Sequence, residues 1–255
     1  MRYPPEALAE YEREFPRIVH ELIAVYAGAI AFAQERLTHD DAKKFMIHGV
    51  GRRLGLIRRC AERIFDAFPP ERTFPLARED IEDVNICLHA FIIHSNALQD
   101  NLAWSYVKEF NVQLNSRHDV SLFKDALRNR LPAAMRAYLN NEDVRNWHAT
   151  YSTEYRDGLA HRLPLYVPPA QLTDEDVVRA NQLQELFNEM LRRHDWEALV
   201  AVQDEINSQG ISCPYFLHEF NAQPVVLHPQ ILCDALTVIE LYKTVTENWG
   251  EPVAP

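Results

Sequence analysis

The stretch Tyr155–Pro169, YRDGLAHRLPLYVPP, carries residue types suited to proton transfer beside a phosphate. Arg156 and His161 stand five positions apart, with the small Gly158 and Ala160 between them. An imidazole with a pKa of about 6.5 exchanges protons at neutral pH. A guanidinium stays charged and can hold an anionic oxygen. The same residues also suit an ordinary buried pair closing a helix end, where the helix dipole favours histidine. Arg13 and His20, with six residues between them, repeat the pattern without its polar second residue.

Two further sets accompany this pair. In LHAFIIHSNALQDNLAW, Asn96 and Asp100 follow His89 by 7 and 11 residues. That spacing stacks the three on one helical face, either as a satisfied buried network or as support for a site on a neighbouring helix. From Lys43 to Arg63, seven cations face Glu62 alone, and Arg52, Arg59 and Arg63 share a face by the same spacing. Such a stripe is a solvated face or a phosphate-binding one. Residues 171–255 hold 14 acidic and 4 basic side chains, a net of −10 in a chain of −11, and could shield the stripe. No HExxH or Glu-x-x-His element is present, so no metal centre is expected. Without GxGxxG, GxxxxGK[ST] or GxSxG, neither a glycine-cradled cofactor nor a serine elbow is expected. Five His-acid neighbours, His20-Glu21, His39-Asp40, His118-Asp119, His194-Asp195 and His218-Glu219, point about 100° apart on a helix and read as polar side chains facing solvent.

Helices must position these groups. Ile18, Leu22, Val25, Ala29 and Phe32 form one apolar stripe, and Val84, Leu88, Phe91, Ile92, Leu98, Leu102 and Tyr106 another. The pattern predicts helices over 6–37, 41–67, 79–112, 119–139, 142–161, 174–207 and 229–248. Thr173 and Asp176 form a capping box for the sixth, and Pro16 and Pro132 kink or restart theirs. Leu165–Val167 and Val225–Leu227 are extended at most. The expected fold is an all-α antiparallel bundle over residues 1–170 with an acidic α-helical extension over 171–255.

Composition agrees. With 255 residues, 47% of them apolar, the chain can bury a substantial core, and its 7 glycines leave few tight turns for a β sandwich or barrel. The polar, acidic start does not read as a secretory signal. The longest uncharged apolar run, Ile86–Gln99, is 14 residues, short of the roughly 20 a spanning helix needs. A cytoplasmic location without a membrane partner is expected. Cys60, Cys87, Cys213 and Cys233 are spaced as reduced small hydrophobes.

The Arg-x4-His pattern, with Asp157 following the arginine and a long polar-striped helix upstream, resembles the HEPN family of helical-bundle proteins over about residues 16–165. Many of these are metal-independent ribonucleases that dimerise to build one RNA-facing site. The resemblance implies His161 as general acid or base and Arg156 as phosphate anchor, with Asp157 orienting Arg156, fixing a histidine tautomer or capping a helix, Arg162 as a further phosphate contact, a homodimer, RNA as substrate and no cofactor. Other members are binding modules, which leaves a non-catalytic helical interaction protein as the alternative, with a protein partner or regulator.

Overall fold

The computed structural model describes residues 2–217 and 223–253, and the fold is all-α. His218-Glu219 lies outside the described residues. Helix α1 (Pro5–Glu35) buries Ile18, Leu22, Val25, Ala29 and Ala33. Pro16 does not interrupt it, because the bond the proline forgoes is to the carbonyl of exposed Glu12. Among the described residues α1 is also the one helix long and apolar enough by composition to cross a membrane.

A second long rod combines α2 (Asp40–Lys44), a π-helical segment (Phe45–Gly51) and α3 (Arg52–Ala67). It packs along α4 (Arg78–Glu109), which sinks Val84, Leu88, Phe91, Leu98, Leu102 and Tyr106 into the core. Removing such side chains from water contributes roughly 1.5–3 kcal/mol each. Gly49 lets the rod approach α4 closely: a Cβ there would lie 2.7 Å from Cγ and Oδ1 of Asn101.

The pattern over 119–139 is not one helix. Ser116 and Asp119 form a reciprocal capping box around a 3-10 turn (Arg117–Asp119), followed by the short α5 (Asp125–Arg128). Pro132 then starts α6 (Ala133–Asn140) afresh. Asn141 caps α7 (Glu142–Asn146), its Oδ1 accepting from the backbone N–H groups of Asp143 and Val144 at 2.8 and 3.3 Å. A π-helical segment (Trp147–Thr153) leads without a break into α8 (Glu154–His161).

The predicted helix over 174–207 is a hairpin. His194 adopts a left-handed backbone (φ 56°) that ends α9 (Val177–Arg193), and Asp195 Oδ1 caps α10 (Trp196–Asn207) through the Ala198 N–H at 3.1 Å. At its start, Asp176 accepts both the N–H and the hydroxyl of Thr173. The hairpin has its own small cluster of Leu183, Met190 and Val202. Strands β1 (Tyr215–Phe216) and β2 (Val225–Val226) pair antiparallel. The final α11 (Leu227–Glu247) then inserts Ile231, Ala235, Val238 and Ile239 into the main core beside α1. Chain beyond 170 therefore splits between a satellite hairpin and a helix of the bundle itself. All four cysteines are free, and Cys233 is exposed.

Candidate functional site

A cavity of about 1000 Å³ opens between α4, the broken segment 117–128 and the rod α7–α8. Its wall includes Asn96, Gln99, Asp100 and Trp104 from α4, Arg117, His118 and Lys124 from the segment, and Arg145, His148 and Arg156 from the rod. With Arg128 added, which pairs with Asp125, the wall holds five cations and two carboxylates, Asp100 and Glu142. The capped start of α7 turns Arg145 toward this space, and the interruptions that spoil the predicted 119–139 helix expose Arg117 and Lys124 there.

Beneath the cations lies a hydrogen-bonded network. Asn96 Nδ2 and Gln99 Nε2 both donate to Ser152 Oγ, at 3.0 and 2.9 Å. Gln99 thereby presents its Oε1 to His148 Nδ1 at 2.9 Å, which places the histidine proton on Nδ1. Thr153 Oγ1 faces Nε2 at 3.4 Å, and the imidazole stacks on Phe123 with ring centroids 3.7 Å apart. Burial, then the nearby Arg156 charge, pushes the His148 pKa down to about 4. His148 is therefore neutral at neutral pH and acts as a rigid wall between Phe123 and α4.

Arg156 is held by Asp157, whose Oδ1 lies 3.0 Å from Nε. The contact is ionic, because the oxygen lies off the N–H direction and leaves the buried Nε without a directed hydrogen bond. Burial raises the Asp100 carboxyl pKa, while Arg156, Arg53 and Lys124 all oppose that shift. Three cations thus act on this one carboxylate, and one of them, Arg156, is shared with Asp157.

The structure brings together Arg156, Asp157, Asn96 and Asp100 and separates the others. His161 is the exposed last residue of α8, has no partner among the described residues and is not part of the cavity wall. Five residues of α-helix turn the chain about 500°, which points His161 about 140° away from Arg156. His89 Nε2 donates to the Leu165 carbonyl at 2.6 Å and so fastens the segment after α8 to α4. Arg162 pairs with Glu154. On α3, Arg59 lies 3.5 Å from Glu62 and Arg63 3.3 Å from Asp83, so carboxylates of α3 and α4 neutralise them and the acidic last third does not. Arg52 is exposed, with no ion pair among the described residues.

Sequence patterning passed over His148, Gln99 and Ser152. The π-helical segment adds a residue to the turn and rotates His148 off the faces that a 3.6 period assigns. His118 was visible as one of the His-acid neighbours, but nothing local marks it as part of a cavity. No protein-family model, curated protein or solved structure matches this chain.

Proposed function

We propose that this protein binds single-stranded RNA in the cavity between α4, segment 117–128 and α7–α8, with Arg156 as a central phosphate contact. One observation carries the reading: a chain of formal charge −11 gathers five cations around a single depression, and three of them, Arg117, Lys124 and Arg145, have no ion pair among the described residues. Arginine forks suit phosphate oxygens, and a phosphodiester chain is the common ligand that meets several such groups in succession. Trp104 in the wall adds an aromatic side chain of the kind on which bases stack. The stretch whose resemblance to HEPN proteins suggests RNA supplies Arg156 to this same cavity.

Cleavage is the second reading, favoured by exposed His118, an imidazole in the cavity wall that His161 is not. Fluorescence anisotropy with a labelled ten-nucleotide oligouridylate tests binding. Arg156→Ala and Arg145→Ala should each weaken it several-fold and reduce the salt slope by about 0.7 per lost phosphate contact. Wild-type protein that fails to bind at 50 mM salt, or an Arg156→Ala variant that binds unchanged, removes the proposal. Incubating the same RNA with EDTA beside His118→Ala and His161→Ala separates the readings. Chelator-resistant cleavage lost in His118→Ala supports a ribonuclease working within one chain, whereas loss in His161→Ala points to a site shared between two chains.

A further inference from the structure

We infer that Arg53, fixed by Asn101 and His94, is a second phosphate subsite that takes the RNA strand where it leaves the cavity over α4. This deepens the RNA reading and rests on it.

Arg53 differs from the other arginines of α3: Arg52 is likewise without an ion pair among the described residues but is exposed to solvent. Arg58, Arg59 and Arg63 each pair with a carboxylate, while half-buried Arg53 has none within ion-pairing distance among the described residues. Its partners are neutral acceptors instead. Nε donates to Asn101 Oδ1 at 2.8 Å and Nη1 to His94 Nδ1 at 2.9 Å. Burial accordingly lowers the Arg53 pKa, opposed only by the Asp100 charge acting from beyond contact distance. A cation that has been partly dehydrated and left without a counter-charge is costly unless an anion arrives to offset it.

The donors are set up to receive one. A guanidinium carries five N–H groups, and these two bonds use two of them. Because His94 accepts at Nδ1, its proton sits on Nε2, on the far side of the ring, and the imidazole serves to hold the fork in place. The arrangement is fixed before any ligand binds: Asn101 occupies the space left by the missing Cβ of Gly49, where a methyl group would come within 2.7 Å of its oxygen. Asp100 precedes Asn101 on α4, lines the cavity, and senses both Arg156 and Arg53. The two arginines therefore flank one ridge of α4, and a strand crossing it meets both in turn. A single free phosphate would use only one of them.

Arg53→Gln tests the assignment, since the glutamine amide can still reach Asn101 while the charge is lost. Anisotropy is measured with the ten-nucleotide oligouridylate and with a uridine dinucleotide carrying one phosphate. Arg53→Gln should weaken the decamer five- to tenfold, lower its salt slope by about 0.7, and leave the dinucleotide unchanged. Gly49→Ala, which displaces Asn101, should weaken the decamer in the same direction. Decamer binding unchanged in Arg53→Gln, while Arg156→Ala loses it, overturns this subsite and leaves the cavity reading intact. Equal loss for dinucleotide and decamer also overturns it, because the effect would then lie in the cavity. If wild type binds neither RNA, both proposals fall.

Discussion

Asp234 gives the clearest thermodynamic prediction. It lies in the core on α11, where its Oδ1 accepts from Trp147 Nε1 at 2.8 Å and Gln230 Nε2 at 2.7 Å. No cation stands within ion-pairing distance of it among the described residues. Burial pushes its carboxyl from 3.8 up to about 7, against the smaller downward pull of the two hydrogen bonds. The folded pKa is raised, so the stabilising contribution is complete below about pH 4 and lost as pH rises through about 7. In that window the unfolded chain has released a proton that the folded chain retains. Each pH unit then costs about 1.4 kcal/mol, on the order of 4 kcal/mol in all. Asp234→Asn keeps an oxygen for Trp147 and has no charge to bury. Urea denaturation of both proteins at pH 5 and pH 8 should show the advantage of the variant growing by about 2–3 kcal/mol. Buried histidines cancel, since both proteins carry them. An advantage that is the same at both pH values, or a deficit that deepens at pH 8, would refute the reasoning.

Other outcomes follow from the same geometry. Asp100→Asn removes the carboxylate set among Arg156, Arg53 and Lys124 and should tighten decamer binding at low salt by about 1 kcal/mol, or roughly fivefold; unchanged or weaker binding contradicts the electrostatic reading. His89→Ala should cost about 1–3 kcal/mol by stranding the Leu165 carbonyl yet leave RNA affinity alone, which melting and anisotropy together decide. Burial pushes His228 down to about 4, and its Nε2 donates to the Phe68 carbonyl at 2.6 Å. This depressed pKa means that its stabilisation is present above about pH 6.5 and lost as pH falls toward 4, so acid titration of His228→Gln should show a shallower loss over that range. Phe91→Ala, in the centre of α4, should lower stability by about 3–5 kcal/mol in chemical denaturation.

The all-α class and most helix positions were legible in the chain, because one buried face per helix writes its period directly into the sequence. The stripes of α1 and α4 are legible almost residue for residue, and of His89, Asn96 and Asp100, which the spacing puts on one face, Asn96 and Asp100 line the cavity while His89 holds the Leu165 carbonyl. Breaks were harder to see. Ser116 and Asp119 end the apolar pattern through side-chain bonds to backbone, and His194 takes a left-handed turn that its neighbours do not announce. The π-helical segments shift the register by one residue, so Gly49 reaches Asn101 and His148 reaches Gln99 in ways that counting by 3.6 cannot foresee.

Local chemistry is determined by sequence: which segments are helical, which faces are apolar, and that Arg156 has an acidic neighbour. Which charges remain unsatisfied was decided only by tertiary packing. Arg63 meets Asp83 across two helices, Arg53 meets only Asn101 and His94, and His161 points away from Arg156. The physical reason is that a charge is balanced by whatever lies within a few ångströms in space, and residues tens of positions apart in the chain supply those neighbours.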